Sequence, residues 1–185
     1  MRSNRVHVTG AAALVLVIAC AAQPAMDNRS TESAMPASGQ AVAAEEASAA
    51  VDGDVARIRA ATEAFKSLDA AAAAGYQRDV MQCVDNPPQG GMGYHHQNDA
   101  LLDDRIEIEK PEMLVYERMP DGEYRLNGVE YIIPLSVWPQ TKEPPVVMGQ
   151  DLKPAPSLGI WYRHVWVWRE NPSGLFADWN PLVKC

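Results

Sequence analysis

Hydrophobic and polar residues alternate most regularly between Ile160 and Arg169, where the sequence reads IWYRHVWVWR. Such alternation is typical of a half-buried β-strand, because successive side chains of a strand point to opposite faces of the sheet. The pattern predicts a central strand whose more aromatic face carries Ile160, Tyr162, His164, Trp166 and Trp168. His164 is therefore expected in the middle of an aromatic surface.

Two alternating segments further upstream predict a β-hairpin. Residues 112–118 and 123–135 are rich in strand-forming side chains, and the sequence Met119-Pro120-Asp121-Gly122 separates them. Proline and glycine stand there at positions that a tight turn favours. Residues 136–157 are rich in proline and predict a long surface connection or the lip of a cavity.

The register of this hairpin decides which side chains face each other. If the strands pair directly from the turn, Glu112 lies opposite Val129; a β-bulge at Asn127-Gly128 places Glu112 opposite Glu130 instead. Two facing carboxylates repel each other unless a cation or a proton lies between them. Glu130 stands within an apolar run, and we expect it to point inward. The alternative is a solvent-facing glutamate on a two-faced strand.

A helix precedes the predicted strands. Val55, Ile58, Phe65 and Leu68 recur at three- and four-residue steps and form one apolar stripe, which we expect to pack on the sheet. Gly75 is a natural end for the helical region. The chain is therefore predicted to be an α+β protein, with an N-terminal helix or helical pair packed on a twisted, mainly antiparallel β-sheet or partial barrel.

The N-terminal part predicts export. Residues 1–19 combine a positive start with a short apolar run, which is typical of a signal peptide. The tetrapeptide Val17-Ile18-Ala19-Cys20 is similar to the lipobox of bacterial lipoproteins, in which the cysteine becomes lipidated. Ala21 stands where that resemblance would require aspartate for inner-membrane retention, so we expect an anchor in the outer membrane, facing the periplasm, if the cell is Gram-negative.

The next segment, residues 20–50, is predicted to be a disordered linker. Alanine, serine, glutamine, proline and glutamate dominate it, so that it buries too little apolar surface to offset the entropy of ordering. A frayed helical extension near residues 45–50 is the alternative, because alanine favours helix. Residues 51–185 are predicted to form a single globular domain.

The net charge excludes one class of partner. The whole chain has 16 basic and 24 acidic side chains. Removal of residues 1–19 takes two arginines, which leaves 14 basic against 24 acidic side chains and a formal net charge of −10. Nucleic acid requires clustered positive charge, and anionic lipid a polybasic patch. We therefore expect no nucleic-acid partner, and membrane contact through the lipid anchor only.

Two cysteines remain after lipidation of Cys20. Cys83 and Cys185 form an even pair in a chain predicted to reach an oxidising compartment, and we expect them to be joined in a disulfide. On the chain-entropy model such a loop contributes roughly 4 to 5 kcal/mol. Two free thiols are the alternative.

Histidine is scarce in the predicted mature chain. His95 and His96 end a segment, DNPPQGGMGYHHQND, whose prolines and glycines predict a loop that brings backbone close to another group. Adjacent side chains of an extended chain face opposite sides, so only one of the two histidines can point into a given cavity. His164 is the third histidine, and it lies in the tryptophan-rich strand.

Four segments carry a resemblance to an uncharacterised group of exported bacterial proteins and lipoproteins. GMGYH, PEMLVYE, VEY and the C-terminal HVWVWRENPSGLFADWNPLVKC are similar to blocks that recur in this order in the group. The resemblance covers about residues 68–185 and implies no activity. It implies that the motif positions are held by His95, Glu112, Glu117, Glu130, His164 and Cys185. His96 stands where the group has another aromatic residue, which favours His95 as the inward histidine.

Two classes of function fit these residues. We expect a lipid-anchored envelope protein that acts as a small-ligand-binding or structural module, in which buried histidines only complete hydrogen bonds. The alternative is a divalent metal-binding protein or metal-dependent enzyme, with zinc, copper or iron held by His95, His164, Glu130 and, as a further candidate, Glu112. Tyr94 and Trp166 would rim such a site.

Enzymatic activity stays open at this point. His164 with Glu130 is also an acid and base pair for a metal-free reaction. No HxH or HExxH spacing and no GxSxG, Walker or dinucleotide signature occurs in the chain. The pattern indicates neither a ligand identity nor an oligomeric state.

Overall fold

The helices of the chain precede an antiparallel sheet, as the α+β prediction requires. The computed structural model describes residues 37–185, so the predicted signal peptide and Cys20 lie outside the described residues. Helix α1 spans Ala37–Thr62, a 3-10 turn follows at Glu63–Lys66, and helix α2 spans Leu68–Ala73. None of the helices within the described part of the chain has the length and apolar character of a membrane span.

Helix α1 begins earlier than predicted. Residues 37–50, for which a disordered linker was expected, are helical, and residues 40–50 are exposed to solvent. Over residues 45–50 this agrees with the alternative of a helical extension. The high helix propensity of alanine accounts for a helix without an apolar stripe. The stripe further along is confirmed, because Ile58, Phe65 and Leu68 pack in or against the hydrophobic core.

Six strands form one sheet in the order β1-β2-β3-β4-β8-β7, which curls into a half-barrel. Strands β5 and β6 form a separate two-stranded hairpin. Strand β8 lies between β4 and β7, and its prediction as a central strand is confirmed. The strand bounds are β1 Arg78–Asn86, β2 Gly90–Gln97, β3 Met113–Arg118, β4 Tyr124–Pro134, β5 Val146–Val147, β6 Gln150–Asp151, β7 Lys153–Ala155 and β8 Ile160–Val165.

The two faces of the sheet differ in what they meet. One face packs with Ile58 of α1 and supplies most of the hydrophobic core, through Leu114, Tyr116, Val129, Tyr131, Ile133, Trp161 and Val165. Because side chains alternate along a strand, the residues between these point to the other face. We call it the cavity face, and it carries His95 of β2, Glu130 of β4 and His164 of β8.

The hairpin of β3 and β4 confirms the predicted turn and bulge but not the register. Tyr116 pairs with Leu126 and Val115 with Gly128, so Asn127 is the extra residue of a bulge. Glu130 nevertheless pairs with Met113, and the expected pairing of Glu112 with Glu130 is wrong by one residue. The cause is the turn, in which Met119 N donates to Glu123 O at 2.7 Å and starts the pairing one residue earlier.

The alternation of the last strand ends sooner than predicted. After Val165 the backbone turns, and Val167 N donates to Val165 O at 3.0 Å. Trp168 therefore leaves the face of His164, and its indole Nε1 donates to Thr62 Oγ1 on α1 at 3.0 Å. The tail that follows returns to the sheet, where Asn180 forms a bridge with Gly91.

The Cys83 to Cys185 disulfide is present, with the two Cα atoms 5.4 Å apart. Cys83 lies within the edge strand β1, so the bond ties the C-terminus to the sheet. The glycines of the predicted loop lie in strand β2 instead, and the turn before it is short. They still allow a close approach, because a Cβ on Gly90 would lie 2.1 Å from Asn180 O.

Candidate functional site

Three of the four predicted site residues come together on the cavity face. His95, Glu130 and His164 each offer one ligand atom, and these atoms all lie within 4.8 Å of one another. Glu130 and His164 are direct cross-strand partners of β4 and β8. His95 reaches them from β2, two strands from β4 in the sheet. The fold thus joins residues far apart in the chain into one cluster, which we call the His-Glu cluster.

The geometry of the His-Glu cluster leaves a gap between its polar atoms. His95 Nε2 lies 3.8 Å from Glu130 Oε2, which exceeds a hydrogen bond. The rings of His95 and His164 are nearly perpendicular, with centroids 6.2 Å apart. Trp166 stacks on His164 at 4.4 Å between ring centroids and thereby fixes the plane of that imidazole.

Both imidazoles are fully buried and lack hydrogen-bond partners. Within residues 37–185, neither Nδ1 nor Nε2 of His95 or His164 makes a hydrogen bond of normal geometry, although the backbone of Gly93 lies close enough to His95 to favour its protonated form. A buried polar group without a partner costs about 1 to 3 kcal/mol, so folded proteins rarely retain one. The expectation that the histidines complete buried hydrogen bonds stays a prediction, although the described contacts give their ring nitrogens no well-formed partner. The buried ring nitrogens make the His-Glu cluster the candidate functional site.

Burial sets the protonation state of the cluster. It lowers the pKa of His95 to about 4. It also lowers the pKa of His164 well below its usual value, and the neighbouring His95 adds to this effect. Burial, together with the smaller effect of the Asp178 charge, raises the pKa of Glu130 to about 8. At neutral pH the metal-free cluster therefore holds neutral imidazoles, the form that ligates metals, and a protonated carboxyl group.

A cavity of about 370 Å³ opens above the cluster. His95 and Glu130 line it, whereas His164 does not and lies beneath them. The remaining walls are mostly apolar and come from Val80, Met81, Val84, Met92, Gln97, Met113, Ala155, Leu158, Ile160, Tyr162 and Trp179. Met113 and Trp179 were not predicted from the sequence as site residues. Met113 was accessible, because it lies two residues before Val115 in strand β3 and strand alternation places both on one face of the sheet.

His96 and Tyr94 lie away from the cluster. The His96 ring contacts Tyr116 on the core face, with centroids 5.2 Å apart, so the prediction that His95 is the inward histidine is confirmed. The Tyr94 ring contacts Tyr124 at 5.4 Å and does not line the cavity. Its predicted place at the rim of the site is therefore wrong, since neighbouring residues of β2 face opposite sides.

Glu112 and Glu117 also have other partners. Glu112 is buried, but its Oε2 accepts a hydrogen bond from Ile132 N at 2.9 Å, and it does not belong to the His-Glu cluster. The shifted hairpin register explains this, because Met113 takes the place opposite Glu130. Glu117, a motif position of the resemblance, pairs with Arg125 and lies 3.8 Å from Arg169 Nε.

Glu112 predicts a pH dependence of stability. Burial raises the pKa of Glu112 to about 8 from the 4.5 of the free side chain. A carboxyl group with a raised pKa stabilises the fold fully below its unfolded pKa, and this contribution is lost as the pH rises to the folded pKa. Glu112→Gln keeps an oxygen for Ile132 N and cannot ionise. Relative to this variant, the wild type should lose on the order of a few kcal/mol between pH 4.5 and 8.

Urea unfolding at pH 4.5, 6 and 9 measures this difference. Because both proteins carry Glu130 and all other titrating groups, those contributions cancel in the comparison. Parallel pH profiles of the two proteins would show that Glu112 ionises in the folded state without penalty.

Comparisons with known proteins do not assign the chain to a family. No protein-family model, no curated protein and no solved structure matches the chain. The resemblance to exported bacterial proteins stays a prediction. The function is therefore inferred from the chemistry of the His-Glu cluster and its cavity.

Proposed function

We propose that this protein binds one divalent transition-metal ion, zinc or iron(II), through His95, His164 and Glu130. The supporting observation is that two fully buried imidazoles without hydrogen-bond partners converge with one carboxylate within 4.8 Å. Two imidazoles and one carboxylate are a ligand set of catalytic zinc sites and of non-haem iron sites. Three protein ligands leave a coordination position open, and two of the three, His95 and Glu130, line the cavity.

A bound ion would draw the three ligands together. Bonds of 2.0 to 2.1 Å in a tetrahedral site put ligand atoms about 3.3 Å apart. His95 Nε2 and Glu130 Oε2 are 3.8 Å apart, so a small rotation of either side chain is sufficient for this pair. The ion would favour the ionised carboxylate and would give one nitrogen of each imidazole the partner that it lacks.

Metal titration of the full-length protein tests the proposal. Untagged protein that has been dialysed against a chelator should bind close to one equivalent of zinc or cobalt(II). His164→Ala and Glu130→Gln should weaken binding by about 100-fold or more, because loss of a direct ligand exceeds the 10- to 100-fold cost of losing an outer-shell partner. Calorimetry or competition with a chromophoric chelator measures the affinity.

His96→Ala is the matched control, since it removes the adjacent histidine on the opposite face of the sheet. Circular dichroism of each variant reports folding, and Glu130→Gln preserves side-chain volume where an alanine variant fails to fold. Binding that survives both ligand substitutions, or that His96→Ala abolishes, would refute the site.

Small-ligand binding without a metal is the second candidate. The observation that favours it is the cavity of about 370 Å³, which falls in the range of small-molecule sites and has mainly apolar walls. On this proposal the neutral His95 and the protonated Glu130 would hydrogen-bond the ligand. Protein that binds an apolar probe but no metal would favour it over the metal site.

We also propose that the protein is exported and anchored to the envelope by a lipid on Cys20. The support is the Val17-Ile18-Ala19-Cys20 sequence after a short apolar run. The Cys83 to Cys185 disulfide agrees with an oxidising compartment. The linker and the exposed N-terminal part of α1 would then separate the domain from the lipid surface.

A further inference from the structure

We infer that the open position of the metal takes the carboxylate of a small, otherwise apolar molecule whose body fills the cavity. This inference rests on the proposed metal site and adds the chemical class of its ligand. It follows from the size of the cavity, the character of its walls and the charge of the His-Glu cluster.

The cavity limits the size of the ligand. Its volume is about 370 Å³. A cavity of this volume falls in the range of small-molecule sites. A carboxylic acid with a medium-length aliphatic chain or a single ring belongs to this class of ligand.

The walls of the cavity favour a ligand with an apolar body. Eight lining residues are aliphatic or methionine: Val80, Met81, Val84, Met92, Met113, Ala155, Leu158 and Ile160. The polar side chains of the lining are His95 and Glu130 of the His-Glu cluster together with Gln97 and Tyr162. A ligand with many polar groups would lose hydrogen bonds to water without full replacement against the apolar walls, which costs free energy. The ligand is therefore expected to be mainly apolar, with a polar group that reaches the His-Glu cluster.

The charge of the metal-loaded His-Glu cluster determines which polar group the ligand carries. A dication with two neutral imidazoles and one carboxylate leaves a net charge of about +1 in a buried site. An isolated buried charge is strongly unfavourable unless a counter-charge pairs with it. A second carboxylate neutralises the site and coordinates the metal with the oxygen ligand that zinc and iron accept. A neutral alcohol does not neutralise the charge, and an ammonium group repels the ion.

The surroundings of the cavity are compatible with an anion. Asp178, next to the lining residue Trp179, is an acidic group whose charge raises the pKa of Glu130. Lys153 Nζ binds both of its carboxylate oxygens at 2.8 Å, and the Tyr162 hydroxyl donates to Oδ2 at 3.5 Å. The charge of Asp178 is thus paired beside the cavity, which reduces its repulsion of an entering carboxylate.

Cobalt(II) provides a direct readout, because its visible absorption responds to a change in coordination. The full chain carrying Cys20→Ala, which has no acyl group to compete for the cavity, is loaded with cobalt(II) and titrated with octanoate. We expect a saturable spectral change, with an affinity at least about tenfold higher than for acetate, since six additional methylene groups are buried. Octan-1-ol, which lacks the carboxylate, should not produce this change.

Two substitutions of alanine by leucine test whether octanoate binds in the cavity. Ala155→Leu adds volume in the cavity and should weaken octanoate binding by about tenfold at equal cobalt occupancy. Ala73→Leu makes the same change at an exposed position of α2 and should leave octanoate binding unchanged.

The possible outcomes separate the two proposals. A cobalt spectrum that octanoate and acetate change with equal affinity overturns the ligand inference and leaves the metal site intact. Absence of any cobalt spectrum overturns the metal site and, with it, the coordinated carboxylate. Octanoate binding that is as tight without cobalt as with it also overturns the inference, because the carboxylate then has no metal partner.

Discussion

Replacement of Cys83 and Cys185 by serine is expected to lower the free energy of unfolding by about 4 to 5 kcal/mol. The bond closes a loop across 102 positions of sequence, and on the chain-entropy model a loop of this length raises the free energy of the unfolded state by about that much, because it removes chain entropy. Denaturant unfolding of the oxidised wild type and of the double variant measures the difference. A loss below about 1 kcal/mol would show that the bond adds little to the fold.

The metal site should survive this change. The tail keeps its backbone contacts with β2, since Asn180 N donates to Gly91 O at 3.0 Å and Gly91 N donates to Asn180 O at 3.1 Å. Val183 also stays fully buried against the sheet. We therefore expect the double variant, measured below its unfolding midpoint, to bind the same amount of zinc as the wild type. Loss of zinc in the folded double variant would mean that the disulfide itself holds the tail over the cavity.

Gly93→Ala is expected to destabilise the protein by about 4 kcal/mol or more, to the point that little folded protein is recovered. Gly93 has φ +112°, and a Cβ built on it would lie 2.2 Å from the backbone oxygen of Tyr116. Backbone atoms of neighbouring strands cannot move apart without breaking the β2 to β3 pairing, so the clash is not relieved locally. Soluble yield and thermal unfolding report the effect.

Gly149→Ala separates the clash from the cost of the backbone angle. Gly149 also has a positive φ, +71°, but a Cβ there meets no atom within 4 Å. Its substitution should cost only about 1 kcal/mol. Equal losses of stability for the two variants would show that the contact of the added Cβ with the Tyr116 oxygen does not contribute to the effect of Gly93→Ala. Because His95 lies two residues after Gly93, any Gly93→Ala protein that folds should also bind metal more weakly.

The local elements were largely accessible from sequence because they depend on short-range periodicity. The apolar stripe through Ile58 and Leu68, the turn at residues 119–122 and the alternation up to Val165 each follow from neighbouring residues and appear in the structure. The helix over residues 37–44 was not predicted, because low hydrophobicity was interpreted as disorder, whereas alanine favours helix in the absence of packing.

The predictions for the candidate site were wrong where a shift of one residue in the strand pairing changes which side chains face each other. A shift of one residue at the start of the β3 and β4 pairing put Met113 opposite Glu130 and moved Glu112 to another role. The backbone turn after Val165 likewise sent Trp168 to the helix. Such shifts are set by turn hydrogen bonds and by packing on both faces, which a repeating pattern of side chains does not encode.

The sequence by itself determined the α+β class, the disulfide partners and the residue types that can bind a metal. Only the tertiary structure decided that His95, Glu130 and His164 meet, because the strand order β2-β3-β4-β8 brings together positions that are distant in the chain. It also decided that their nitrogens lack partners and that a cavity opens over them. Local preference acts between near neighbours, whereas a site of this kind depends on long-range pairing and on what the packed sheet leaves uncovered.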